Sequence, residues 1–72
     1  MKEQKIFRLT GFGNLSAIAT VLEDGNCWVR YYNGLDSIEE MQSVNSEARF
    51  IIKVESNIRE WCEENGYNLW SY

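Results

Sequence analysis

The sequence predicts an α+β fold, a three-stranded antiparallel meander packed against one or two helices, in one domain over residues 1–72. Three observations predict it. Apolar and polar residues alternate through the first half with the two-residue period of strands. Asp24-Gly25 lies between two such runs, the strongest hairpin signal in the chain. The second half changes to helical spacing, with Ala48, Ile51, Val54, Ile58, Trp61 and Cys62 recurring at steps of three and four.

The elements follow in order. Lys5–Thr10 reads as the first strand, Phe7 and Leu9 on one side and Ile6 and Arg8 on the other. Gly11-Phe12-Gly13-Asn14 is turn chemistry. Leu15–Glu23 is the second strand and Cys27–Tyr32 the third, joined at Asp24-Gly25 and ended by Asn33-Gly34. Asp36 with Glu39 forms a capping box, so a helix is expected to start near Ser37, with Ile38, Met41 and Val44 on one face. Asn45-Ser46 is a break and a new N-cap, opening the long helix that Gly66 closes. Glu55–Arg59 and Arg59–Glu63 are spaced as ion pairs on its polar side. A competing reading makes Arg49–Glu55 a fourth strand, because Phe50, Ile52 and Val54 alternate. The long helix is favoured because its stripe continues through Cys62. The aromatic tail Tyr67–Tyr72 is expected to fold back onto the sheet or helix.

Composition narrows the chemistry. The chain has no histidine and no proline, and its two cysteines, Cys27 and Cys62, lie far apart. Without histidine it lacks the usual proton-transfer side chain near neutral pH and the ligand clusters of transition metals. No cofactor, no metal and no catalytic residues are expected. Both cysteines read as small core hydrophobes, reduced in a cytoplasmic protein. The Leu15–Leu22 stretch is too short and interrupted to make a convincing secretory signal, and there is no run of about 20 apolar residues, so neither secretion nor membrane contact is expected. Gly11-Phe12-Gly13 lacks the third glycine and the Lys-Ser/Thr sequel of a phosphate loop.

The net charge of −4 is uneven. Residues 1–35 carry four cations against three acids, and residues 36–72 three cations against eight acids. A protein built to grip phosphates is normally basic, so direct nucleic-acid binding is not expected. Two surfaces remain. If Cys27, Val29 and Tyr31 face the core, Trp28, Arg30 and Tyr32 line the opposite face, and these residue types dominate binding energetics. Glu60, Glu63 and Glu64 crowd the end of the long helix, where the dipole disfavours negative charge, and a basic partner would explain them. Reversing those three charges is then expected to weaken binding.

In size, lack of a catalytic set and acidic, aromatic-rich character, the chain resembles small phage or mobile-element proteins that inhibit host machinery. The leading expectation, drawn from the acidic helix and the Trp28, Arg30 and Tyr32 face, is a non-enzymatic, acidic protein-binding module that occludes a functional site, such as a nucleic-acid-binding site, on a larger host protein with a basic surface. The alternative is a structural or assembly protein that self-associates into a homodimer through its sheet face. A single-stranded nucleic-acid binder using Trp28, Arg30 and Tyr32 ranks third.

Overall fold

A computed structural model describes residues 3–38 and 46–70. The element order is β1 (Glu3–Phe7), β2 (Leu15–Val21), β3 (Asn26–Asn33), β4 (Asp36–Ile38), α1 (Ser46–Asn65) and β5 (Asn68–Leu69). The first four strands form an antiparallel meander in chain order. The tail strand β5 pairs parallel with the start of β3. The α+β architecture with its three-stranded meander is therefore the fold, extended by two short strands.

The β2–β3 turn shows how local chemistry sets the register. Gly25 adopts φ +88°, a left-handed conformation that costs glycine little. Its N–H donates to the Leu22 carbonyl (3.0 Å), and the Leu22 N–H donates to the Asn26 carbonyl (2.8 Å). The Asp24 carboxylate accepts from the Asn26 backbone and side chain. That three-residue loop fixes Val21 opposite Cys27 and Ala19 opposite Val29. A slip of one residue would turn every side chain of β3 to the other face.

Leu15, Ala17, Ala19 and Val21 of β2 and Cys27 and Val29 of β3 are buried on one face. Helix α1 lays Phe50, Val54, Ile58 and Cys62 against them. The alanines of β2 leave room for this close approach. Phe12, in the first turn, packs on Phe50 with ring centroids 5.7 Å apart. The alternation of Phe50, Ile52 and Val54 is incidental. In a helix, positions 50 and 54 share the buried face, and Ile52 points outward, 66% exposed. The stripe read from sequence contained Ile51 and omitted Phe50, which is fully buried.

The helix closes at Gly66, φ +72°. Gly66 N–H donates to the Glu63 carbonyl (3.4 Å) and Tyr67 N–H to that of Cys62 (2.9 Å), the paired bonds of a Schellman cap. Trp61 and Tyr67 meet edge to face at 5.2 Å, supplying the cap's apolar contact.

One expectation is corrected. Asp36–Ile38 is strand β4, in register with Asn33, Tyr32 and Tyr31, and does not open a helix. Asn33-Gly34 belongs to a hairpin turn, Gly34 having φ +65°, so the chain reverses into another strand. Glu39, Met41 and Val44, the rest of that expected helix, lie outside the described residues. The first strand also begins and ends earlier than its sequence suggests, at Glu3–Phe7.

Candidate functional site

Because α1 covers one face of the sheet, side chains of opposite parity point away from it. In register, Gln4–Thr20–Trp28, Ile6–Ile18–Arg30 and Ser16–Tyr32–Ser37 form three cross-strand rows on that outward face. Gln4 Nε2 donates to Thr20 Oγ1 at 3.1 Å within the first row. Ile6 is 63% exposed, Arg30 is exposed, and Tyr32 is half-buried.

The tail completes this face. Asn68 N–H donates to the Gly25 carbonyl and Trp70 N–H to the Cys27 carbonyl, both at 2.9 Å. Asn68 Nδ2 also donates to Asn26 Oδ1 at 3.1 Å. In this register Leu69 turns toward the core beside Cys27, and Trp70 turns outward beside Trp28. The two indoles stack, centroids 5.1 Å apart and planes 7° from parallel. They remain 45% and 54% exposed, so the stack presents a broad apolar plate to solvent. Leu35 adds a fully exposed apolar side chain at the tip of the β3–β4 turn.

No carboxylate occupies an outward position of the described strands. Glu3 and Lys5 belong to the other parity. The Tyr67 hydroxyl donates to the Glu3 carboxylate, and Lys5 Nζ lies 5.3 Å from the Phe7 ring centroid and 5.6 Å from that of Trp61. Charges on β1 are thereby drawn to the helix side.

The acidic residues Glu60, Glu63 and Glu64 are exposed on α1, which packs on the opposite face of the sheet. Glu60 and Glu63 line an open depression with Ile52, Glu55, Ser56 and Arg59. Arg59 pairs with Glu55 at 2.9 Å, as the spacing predicts. The structure thus brings Trp28, Arg30 and Tyr32 together and separates them from Glu60, Glu63 and Glu64. The six residues make two surfaces on opposite sides of the molecule. Sequence reasoning missed Trp70, Ile6 and Leu35. Only the aromatic character of the tail hinted at Trp70, because its place depends on the parallel register of β5.

Cys27 and Cys62 are free and buried. Burial pushes the Cys27 thiol up to about 12, and a hydrogen bond with the Cys62 side chain adds to the shift. Burial also raises the Cys62 thiol. Both are thus protonated and poorly nucleophilic at neutral pH. Among the described residues, no group of three His, Cys, Asp or Glu side chains is placed to hold a metal ion. No described helix is long and apolar enough to cross a membrane. No family model, no curated protein and no solved structure matches the chain.

Proposed function

We propose that this protein is a non-enzymatic binding module that docks on a larger protein through its outward sheet face. The observation that supports this is the make-up of that face. Trp28, Trp70, Tyr32 and Arg30 are the types enriched in interface centres, and Asp, Glu and Lys, which such centres exclude, are missing from its described strand positions. The partner patch complementary to it is apolar, with a carboxylate placed to meet Arg30. Arg30 is the one cation at the described strand positions of this face, which gives little grip on a phosphate backbone and favours a protein over a nucleic acid. The mode of action we propose is occlusion, the sheet being laid over a functional site of the larger protein in the manner of a small phage or mobile-element inhibitor. Two free thiols fit a cytoplasmic setting.

The test compares three baits in affinity capture from the protein's native cells: the wild type, Arg30→Glu, and Glu60, Glu63 and Glu64 reversed to Lys. A stoichiometric partner lost with Arg30→Glu and kept by the helix reversal supports the sheet face. Loss on the helix reversal alone moves the site to α1 and to a basic partner. A concentration-dependent dimer in sizing, or oligonucleotide binding that weakens steeply with salt, overturns the reading in favour of self-association or single-stranded nucleic acid.

A further inference from the structure

We propose that Phe7, Trp61 and Tyr67, with the Glu3 carboxylate at the rim, form a cage for a quaternary ammonium group, the side chain of a trimethylated lysine on a partner protein, and that Lys5 is its internal plug. Three rings from β1, α1 and the tail meet on the helix side of the sheet. Phe7 and Trp61 stand edge to face with centroids 5.8 Å apart, and Trp61 and Tyr67 do the same at 5.2 Å. Neighbouring rings are turned 70° and 65° to each other, as walls rather than as a stack. Lys5 Nζ lies over two of these walls, 5.3 Å from the Phe7 centroid and 5.6 Å from that of Trp61. Glu3 shares a side of β1 with Lys5 and Phe7, and the Tyr67 hydroxyl donates to its carboxylate, which holds an anion beside the rings. The place is therefore already a cation site, built of ring faces and one carboxylate.

Lys5 is a loose occupant. Its side chain is exposed, and among the described residues its amine has no hydrogen bond or ion pair beside these two ring contacts. A primary ammonium is compact and strongly hydrated, so it gives up little of its water to the rings. A trimethylammonium group is larger, holds water weakly and brings methyl groups against the ring faces, which is the chemistry aromatic cages select. When it enters, Lys5 swings into solvent and regains rotamer freedom. Strand β1 is an outer strand, with β2 on one side only, so the way in is open among the described residues. A choline headgroup carries the same cation, but it also brings a phosphate toward Glu3. A lysine stem brings no anion, and a cationic segment suits a chain of net charge −4. The cage lies on the side of the sheet away from Trp28 and Arg30, so it is separate from the outward face.

The experiment titrates the purified full chain with Nα-acetyl-Nε-trimethyl-lysine amide and follows the three indole N–H resonances by NMR. The same titration is run with the unmethylated lysine amide, the neutral tert-butyl analogue and phosphocholine. The expected result is a saturable shift of the Trp61 resonance, with those of Trp28 and Trp70 unmoved and the N-methyl protons of the compound shifted upfield. The unmethylated amide and the neutral analogue bind several-fold more weakly. Lys5→Ala tightens binding by about threefold and Glu3→Gln weakens it by about as much, the scale of one exposed cation–π or charge contact. The proposal is overturned if the trimethyl compound moves no resonance of the wild type, moves Trp28 and Trp70 equally, or binds no better than its neutral analogue. Tighter binding of phosphocholine overturns the methylated lysine in favour of a lipid headgroup, and an affinity that Lys5→Ala leaves unchanged overturns the plug. None of these outcomes depends on what the sheet face binds.

Discussion

Trp28 and Phe50 are large aromatics with opposite tasks. Phe50 is fully buried between the helix and the sheet, and Phe12 packs on its ring. Phe50→Ala is expected to cost about 3–5 kcal/mol, enough to unfold much of so small a domain, as read by urea denaturation. Trp28 sits half in solvent on the uncovered face, and among the described aromatic rings it stacks on Trp70. Trp28→Ala is expected to cost about 1 kcal/mol and leave a cooperative transition. A loss as large as that of Phe50→Ala would make the outward face part of the core. The two-residue alternation of β3 was enough to separate Cys27 and Val29 from Trp28 and Arg30, because a strand's geometry leaves only two faces. Trp70 was not legible this way. Its position depends on a hydrogen bond to the carbonyl of Cys27, many residues away, and no local pattern encodes such a register.

At the scale of elements, the C-terminal end of α1 governs the tail. Gly66 holds φ +72°, and an alanine there meets no steric obstacle but must adopt a left-handed backbone. Gly66→Ala is expected to cost about 1 kcal/mol in urea denaturation. It should also loosen the Trp28–Trp70 stack, because Tyr67–Trp70 run directly from the cap. The last turn of α1 carries no basic residue. Reversing Glu63 and Glu64 to Lys is therefore expected to stabilise the free domain by about 0.3 kcal/mol each, with the gain shrinking in high salt. Helix α1 was legible in the sequence because its apolar stripe is long and its stop signal strong. Strand β4 was not. An Asp followed three residues later by a Glu satisfies a capping box, and the same Asp36 also suits the strand end after a glycine turn. The choice belongs to tertiary context, here the pairing of Tyr31 with Ile38.

Over the whole molecule, the charge imbalance along the chain becomes a division in space. One sheet face bears Arg30 and no acid at its described strand positions, and the helix on the other side carries the exposed Glu60, Glu63 and Glu64. Net charge alone could not show this, since it averages the two surfaces. The buried thiols give the molecule a pH signature. An unfolded chain releases a thiol proton near 9.0, whereas the folded chain holds that of Cys27 until about 12. Between those values the unfolded state binds fewer protons, so stability is intact below pH 9 and falls as pH rises through the window. The slope is at most about 1.4 kcal/mol per pH unit for each thiol. Urea midpoints measured below and within the window should show the fall, and Cys27→Ala should flatten it.

The near-parallel indoles of Trp28 and Trp70 also make the protein its own optical probe. Two indoles this close couple through their transition dipoles, and wherever those dipoles are skewed within the two near-parallel planes the coupling gives a paired positive and negative band in circular dichroism that neither ring gives alone. One of those rings is anchored in a central strand and the other in the tail. The band pair therefore reports, without any label, whether the tail is docked, and it can be followed in time while the rest of the fold stays intact.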